Sequence, residues 1–298
     1  MSVSRETEKP VIGVRRLKEP MPQPITTRLF TVANQKGGVG KTTSAVNIAA
    51  ALAMGGLKVL VIDLDPQGNA CTALGVDREG EGMYEVFVDE RPLSSIIQKV
   101  AGFPHLECAP ANQELAGAEI SMVNMVARES ILKLALNDLL KERELSGDRL
   151  DYIIIDCPPS LGLLTVNALT AAEEVLVPIQ CEYYSLEGIS LLVSTLSKIQ
   201  RALNPKVHIS TILLTMFDSR TRLANDVAND VRAHFPRELI DIPIPRAVRI
   251  SEAPSFRQTV MTYDASSPGA VAYMQVAREI ALRGTSVTPS VESGAITA

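Results

Sequence analysis

Asn34-Gln35-Lys36-Gly37-Gly38-Val39-Gly40-Lys41-Thr42-Thr43 follows a short apolar run, Leu29 to Ala33, and opens an apolar-periodic segment from Ser44 onward. A strand that feeds a glycine-rich turn and then a helix forms a phosphate site. Gly37, Gly38 and Gly40 can take dihedrals that turn successive amide N–H groups inward toward an anion. The helix that follows points its positive end at the same spot. Lys41 supplies charge for the β and γ phosphates of a nucleotide, the Thr42 hydroxyl can ligate the Mg²⁺ that a triphosphate brings, and Thr43 is placed to donate to the α phosphate. The usual first glycine of such a loop is replaced by Gln35, and a second lysine, Lys36, stands directly before Gly37.

Outward from this loop the chain alternates helical and short apolar segments. Ala45, Ile48, Ala49 and Leu52 recur at helical spacing, and Gly55-Gly56 ends that helix. Lys58 to Asp63 is a continuous apolar run, short and rich in branched residues, which predicts a buried parallel strand. It delivers Asp63-Leu64-Asp65-Pro66-Gln67-Gly68-Asn69 to the carboxyl edge of a sheet, where ligands of open α/β sheets bind. Two carboxylates at i and i+2 of a strand end point to the same side, and Pro66 and Gly68 mark the next loop as a switch. Asp63 then holds either the magnesium shell or the loop.

Residues 77 to 104 read only as loops and short helices, and His105 to Ala109 as another strand. A helix from Arg128 to Glu144 has Ile131, Leu132, Ala135 and Leu139 on one face. The run from Asp151 ends in Asp156, a carboxylate placed to hold Mg²⁺, and Cys157-Pro158-Pro159-Ser160-Leu161-Gly162 reads as a second switch. Cys157 is read as structural, because no histidine lies near it in sequence. Further strands are expected at 174–179 and 208–214, and a last helix at 268–282 with Ala270, Tyr273, Met274, Ala277 and Ala281 as its buried stripe. About seven strands in this alternation predict an α/β fold, a doubly wound, mostly parallel sheet flanked by helices.

The chain has 298 residues, 46% of them hydrophobic and 21% charged, enough for one large domain with tails. Residues 1–27 hold four prolines with mixed charge and no apolar period, and predict a disordered tail. A solvated leader and a DNA- or membrane-touching arm are both open for it. The folded domain is assigned to 28–283, and 284–298, rich in Ser, Thr and Gly, to a flexible tail. With 28 residues ahead of Leu29, no helix-turn-helix domain is expected there. Cys71, Cys108, Cys157 and Cys181 stand far apart, without the spacing of a metal or disulfide framework. No apolar run is long enough for a membrane span or a signal peptide, so a cytoplasmic protein with reduced thiols is expected.

A formal charge of −5 argues against uniform coating of nucleic acid, but residues 198–257 hold ten Lys or Arg against six Asp or Glu. Such a concentration suits a surface that tracks phosphates without reading bases. Solvated helix faces with acidic neighbours are the alternative, and the scarcity of aromatics there disfavours single-strand stacking.

The loop is similar to the deviant Walker A motif, KGGxGK[ST], of the ParA/MinD family of P-loop ATPases, in which the early lysine reaches the nucleotide bound by a partner subunit. Four separated motifs in the right order extend the resemblance from about Leu29 to Leu282: the phosphate loop, DxDPQGN, LAGAE, and the Asp156 strand with its following switch. The resemblance implies an ATP- and Mg²⁺-dependent partition ATPase of ParA/Soj type. Its ATP-bound homodimer binds double-stranded DNA without sequence preference, and a ParB-like, centromere-bound protein stimulates the hydrolysis that resets it.

Nucleoid-associated localisation follows from the same implication. It assigns the attacking water to Asp65, the partner's nucleotide to Lys36, and the dimer interface to Lys36, Gly37 and Glu119, although spacing alone also allows Glu119 to be an exposed helical residue. It places adenine beside Met216, at a strand end, and Pro245. Arg220 and Arg249 correspond to non-specific DNA-binding positions, and Arg222 and Arg246 add to that patch. A MinD-like membrane-cycling regulator would need a basic amphipathic C-terminal helix, which the tail lacks. A relative of the nitrogenase iron protein would need cluster cysteines that are unmatched here. A ParA-like positioner of a plasmid or protein cargo would use the same chemistry.

Overall fold

In the computed structural model, residues 19–182 and 185–285 are described, with only the backbone for 185–188. Eight strands form one sheet: β1 Arg28–Val32, β2 Val59–Asp63, β3 Gln98–Lys99, β4 Leu106–Ala109, β5 Tyr152–Asp156, β6 Glu174–Gln180, β7 His208–Thr215 and β8 Leu239–Ile240. Their order is β3-β4-β2-β5-β1-β6-β7-β8, and every pairing is parallel except that of β3 with β4. Against the roughly seven expected, six of the eight fall on runs located in the sequence, and the other two are the two-residue edges β3 and β8, too short to leave an apolar period. The sheet is the doubly wound one expected.

The helices of the first half are α1 Lys41–Met54, α2 Asn69–Leu74, α3 Met83–Val88, α4 Leu93–Ile96, α5 Leu115–Ser121, α6 Ile131–Leu145 and α7 Leu163–Ala171. The second half adds α8 Ser185–Ala202, α9 Arg222–His234, α10 Val248–Glu252, α11 Val260–Tyr263 and α12 Pro268–Arg283. All five residues of β2 and all five of β5 are buried, because helices cover both faces, and this explains why both read as unbroken apolar runs. On one face, α1 and α12 pack with α2 over β1, β2 and β5. The other face is covered by α3 to α7 near β2 and β5 and by α8 and α9 near β6 and β7. Eleven of the fourteen residues of α1 are buried, so its alanines let α12 approach it closely. Each fully buried Leu or Ile of these layers, such as Leu60, Ile62 and Ile153, contributes about 1.5–3 kcal/mol relative to exposure.

Residues 1–18 and 286–298 lie outside the described residues, so the expected tails are followed only at their inner ends. There the expectation of a loose leader through residue 27 is corrected. Met21 is 5% exposed and its N–H donates to the Gly55 carbonyl at 2.9 Å. Its side chain fills the space above that glycine, where an added Cβ would meet Met21 Cγ at 2.6 Å. Arg149 donates to the carbonyls of Pro24 and Ile25, and the Thr27 hydroxyl to Leu150 O. Isolated apolar residues among prolines leave no period, so this docking depends on a tertiary slot.

Arg28 fixes the start of β1. Its guanidinium pairs with Glu174 at 2.6 Å, donates to Ile280 O, and lies 4.7 Å from the Phe30 ring centroid.

Candidate nucleotide site

The register of the sheet brings the site together. Val32 stands opposite Asp156 across β1 and β5, and Asp156 opposite Asp63 across β5 and β2, so the phosphate loop and both aspartates leave one carboxyl edge at one level. Gly38 and Gly40 have φ of +73° and +86°, where a side chain is strained and amide N–H groups turn inward. Two contacts that the sequence reading missed hold this curl. Asn34 donates its amide to Pro178 O at 2.8 Å while its Oδ1 accepts from Lys36 N, and the Thr215 hydroxyl donates to Val39 O at 2.8 Å. An asparagine three residues before the first glycine of the loop is the available signal for the first. No sequence signal marks the second.

Lys41 is 7% exposed and its Nζ donates to Lys36 O at 3.2 Å, inside the curl. Burial lowers its pKa, while Asp156, Cys157 and Asp65 pull the other way, so the cation sits in a pocket of negative charge. Lys36 is half-exposed, and its ammonium meets Glu182 Oε2 at 2.8 Å in its own chain. Thr42 and Thr43 open α1 in half-buried positions.

Asp156 is fully buried, and neither carboxylate oxygen completes a hydrogen bond among the described residues. Burial and then the carboxylate of Asp63 push its pKa well above the ordinary range, while the facing Thr42 hydroxyl and Lys41 act in the opposite direction. A buried carboxylate without a partner, beside a threonine hydroxyl and a lysine, is the donor set that a hard cation needs, so Mg²⁺ fits the residues present.

Asp63 is also fully buried, but its oxygens are engaged. Oδ1 accepts from Asp65 N at 3.1 Å, and Oδ2 from Cys71 N at 3.0 Å and Cys71 Sγ at 3.1 Å. Burial raises its pKa to about 6 against those hydrogen bonds. Of the two roles open to Asp63, these bonds favour holding the loop over lining the metal shell. Asp65, 9% exposed, accepts Gln67 N at 3.0 Å on Oδ1, while its carbonyl takes Gly68 N at 2.7 Å in a tight turn, and its charge is felt by both Lys41 and Asp156. Burial pushes the Cys157 thiol well up, which suits the structural reading of that residue.

Arg78, which the sequence did not single out, clamps this first switch. Its three nitrogens donate to the carbonyls of Pro66, Gln67 and Ala111 at 2.7, 2.8 and 2.9 Å. Gly68 has φ +63°, and a Cβ there would stand 2.1 Å from the guanidinium carbon.

Met216 has φ +50°, and the chain beyond it pairs with the turn at Pro245: Phe217 N donates to Ile244 O at 2.9 Å and Arg246 N to Phe217 O at 3.1 Å. The two base-side candidates thus lie on neighbouring segments. They do not line the cavity of about 400 Å³ that adjoins the phosphate loop, whose walls are Thr42, Thr43 and Asn47 of α1, Asn69 and Thr72 of α2, and Pro254, Ser255 and Gln258. Pro245 instead borders a more open hollow with Phe217 and Pro243.

Arg220, Arg222, Arg246 and Arg249 are all exposed, on the segments that leave β7 and β8. Arg220 forks onto Asp218 at 2.9 and 2.7 Å, which holds that carboxyl down to about 2. Arg249 lies between Glu252 and Asp264 over the Tyr263 ring. Among the described residues, no helix is long and apolar enough to cross a membrane.

A family model described as an AAA domain matches residues 27–209. The chain is 44% identical over 264 residues to the chromosome partitioning protein ParA of Myxococcus xanthus, covering 88% of this chain and 90% of that one. It is 46% identical over 259 residues to the sporulation initiation inhibitor protein Soj of Bacillus subtilis, covering 86% of this chain and 99% of that one. Among solved structures, a Mycobacterium smegmatis protein named cobyrinic acid a,c-diamide synthase, with bound ADP and magnesium, superposes with a TM-score of 0.72 at 38% identity, over 87% of this chain and 95% of that one. The chain belongs to the ParA/Soj family of chromosome-partitioning ATPases, and is a P-loop ATPase that uses ATP and Mg²⁺.

Proposed function

We propose that this ATPase partitions DNA by cycling between an ATP-bound homodimer, held on double-stranded DNA through Arg220, Arg222, Arg246 and Arg249, and a released form made by hydrolysis. A ParB-like, centromere-bound protein stimulates that hydrolysis, and the cycle runs on the nucleoid. The observation on which this rests is the pairing of a glycine curl, bearing Lys36 and Lys41, with the unpartnered buried carboxylate of Asp156.

In the mechanism, Lys41 and the inward N–H groups of Gly37 to Thr43 bind the phosphates, and Thr43 orients the α phosphate. Mg²⁺ held by Thr42 and Asp156 would neutralise charge on the β and γ oxygens. Asp65 orients the attacking water in line and takes up its proton. Lys36 leaves Glu182 when subunits meet and offsets the negative charge that develops on the neighbour's triphosphate. Met216 and Pro245 flank the base.

The arginines, 87% exposed at the side chain of Arg220 and 56% at that of Arg249, exchange their carboxylate partners for phosphates. Each phosphate contact releases counterions, so binding weakens steeply with salt and reads no sequence. The test is binding to unrelated duplexes with ATP, with ADP and without nucleotide, across a salt series. ATP-selective, salt-sensitive retention is expected, and equal binding in all three conditions overturns the reading.

A further inference from the structure

The family resemblance puts Glu119 opposite the partner's lysine, but within a single chain this residue already has an occupation. Its Oε1 accepts from Leu164 N at 3.1 Å, the second residue of α7. Gly162, the N-cap of that helix, offers no side-chain cap of its own, and the carboxylate lies where its Cβ would be: a Cβ there would stand 2.2 Å from Oε1. Gly162 is also the last residue of the second switch, Cys157 to Gly162. Further along, α7 is pinned by Asn167, whose Oδ1 accepts from Leu132 N at the start of α6. The segment that bears Glu119 begins at Ala111, whose carbonyl accepts from Arg78, the clamp of the first switch. The stretch from Ala111 to Glu119 therefore touches both loops that frame the nucleotide.

We infer that Glu119 is a positioning residue acting inside its own subunit: it caps α7, fixes the end of the second switch, and through Ala111 and Arg78 braces it against the first. This rests on the ATPase reading above. A helix cap needs an acceptor oxygen and tolerates loss of the charge, whereas a contact with a partner's ammonium needs the charge. Glutamine keeps the acceptor and removes the charge, so one substitution separates the two roles.

The test uses the full chain and measures kcat and KM for ATP with Mg²⁺, dimerisation with ATP by light scattering, and folding by circular dichroism. Glu119→Gln, which keeps the acceptor oxygen, is expected to retain most of the kcat that Glu119→Ala loses. Glu119→Ala is expected to lower kcat by about three- to thirtyfold, the range that loss of a cap spans, with KM little changed. Gly162→Ala, which expels the carboxylate without touching it, is expected to lower kcat alike, and the double variant to be no worse than the worse single one. If Glu119→Gln is as impaired as Glu119→Ala, or if Glu119→Ala or Gly162→Ala turns over normally, the inference is overturned. Wild-type protein that fails to hydrolyse ATP would instead refute the activity itself.

Discussion

Replacing Asp156 by Asn keeps the shape of the side chain and removes a negative charge from a site where it has no partner. In the chain without nucleotide, both oxygens are buried and unbonded, and Asp63 stands directly across the register. An unsatisfied buried polar group costs about 1–3 kcal/mol, and the amide retains part of that cost, so Asp156→Asn is expected to stabilise the nucleotide-free protein by about 1 kcal/mol. For a domain of this size that is about 2–4 °C in Tm. The sign follows from the raised pKa: a carboxyl held above its ordinary value lowers stability at every pH above that value and restores it as pH falls. The advantage of the Asn variant should therefore shrink on acidification.

With ATP and Mg²⁺ the order reverses, because the wild type gains a ligand for its carboxylate and the variant does not. The chain has no tryptophan, so the melts are read by calorimetry or far-UV circular dichroism, with and without Mg²⁺ATP. A variant that melts below wild type without nucleotide and gains as much from Mg²⁺ATP would refute the assignment of Asp156 to the cation.

Asp65→Ala should leave ATP-dependent dimers and DNA binding intact while lowering phosphate release by about a hundredfold or more, as loss of a proton acceptor does, measured in single-turnover assays. Gly37→Val should fold and bind ATP as a monomer, since nothing lies within 4 Å of an added Cβ in one chain, yet fail to dimerise in sedimentation. Glu182→Gln frees Lys36 from a half-exposed ion pair worth at most about 1 kcal/mol in each subunit, so the dissociation constant of ATP-dependent dimers should fall by no more than about thirtyfold. Arg28→Met strips a largely buried Glu174 of its partner at the far end of β1, and should cost about 3 kcal/mol of stability with kcat unchanged, checked by denaturant titration beside turnover.

The phosphate loop, the two aspartate-bearing strands and the winding of the sheet were legible because each is a local pattern: glycines at fixed offsets, and short branched runs ending in a carboxylate. What escaped the reading is tertiary. Asn34 is bonded to β6, Arg78 to a carbonyl thirty-three residues away, and Glu182 to Lys36 across 146 positions, and no spacing rule names those partners. Asp63 was left with two roles because both place a carboxylate at a strand end. Only the bonds from Asp65 N and Cys71 separate them. The leader misled for the complementary reason, since an isolated Met21 reads as noise until Gly55 offers it a slot.

Val32, Asp63 and Asp156 belong to three strands whose pairing must close before their carboxyl ends share one level. A slip of one residue in β5 would turn Asp156 to the opposite face of the sheet. An aligned cation site therefore exists only after chain segments more than ninety positions apart have docked, which places it late in folding. During refolding, nucleotide capture should report completion of the sheet's middle, and chains mispaired there would stay outside the hydrolytic cycle.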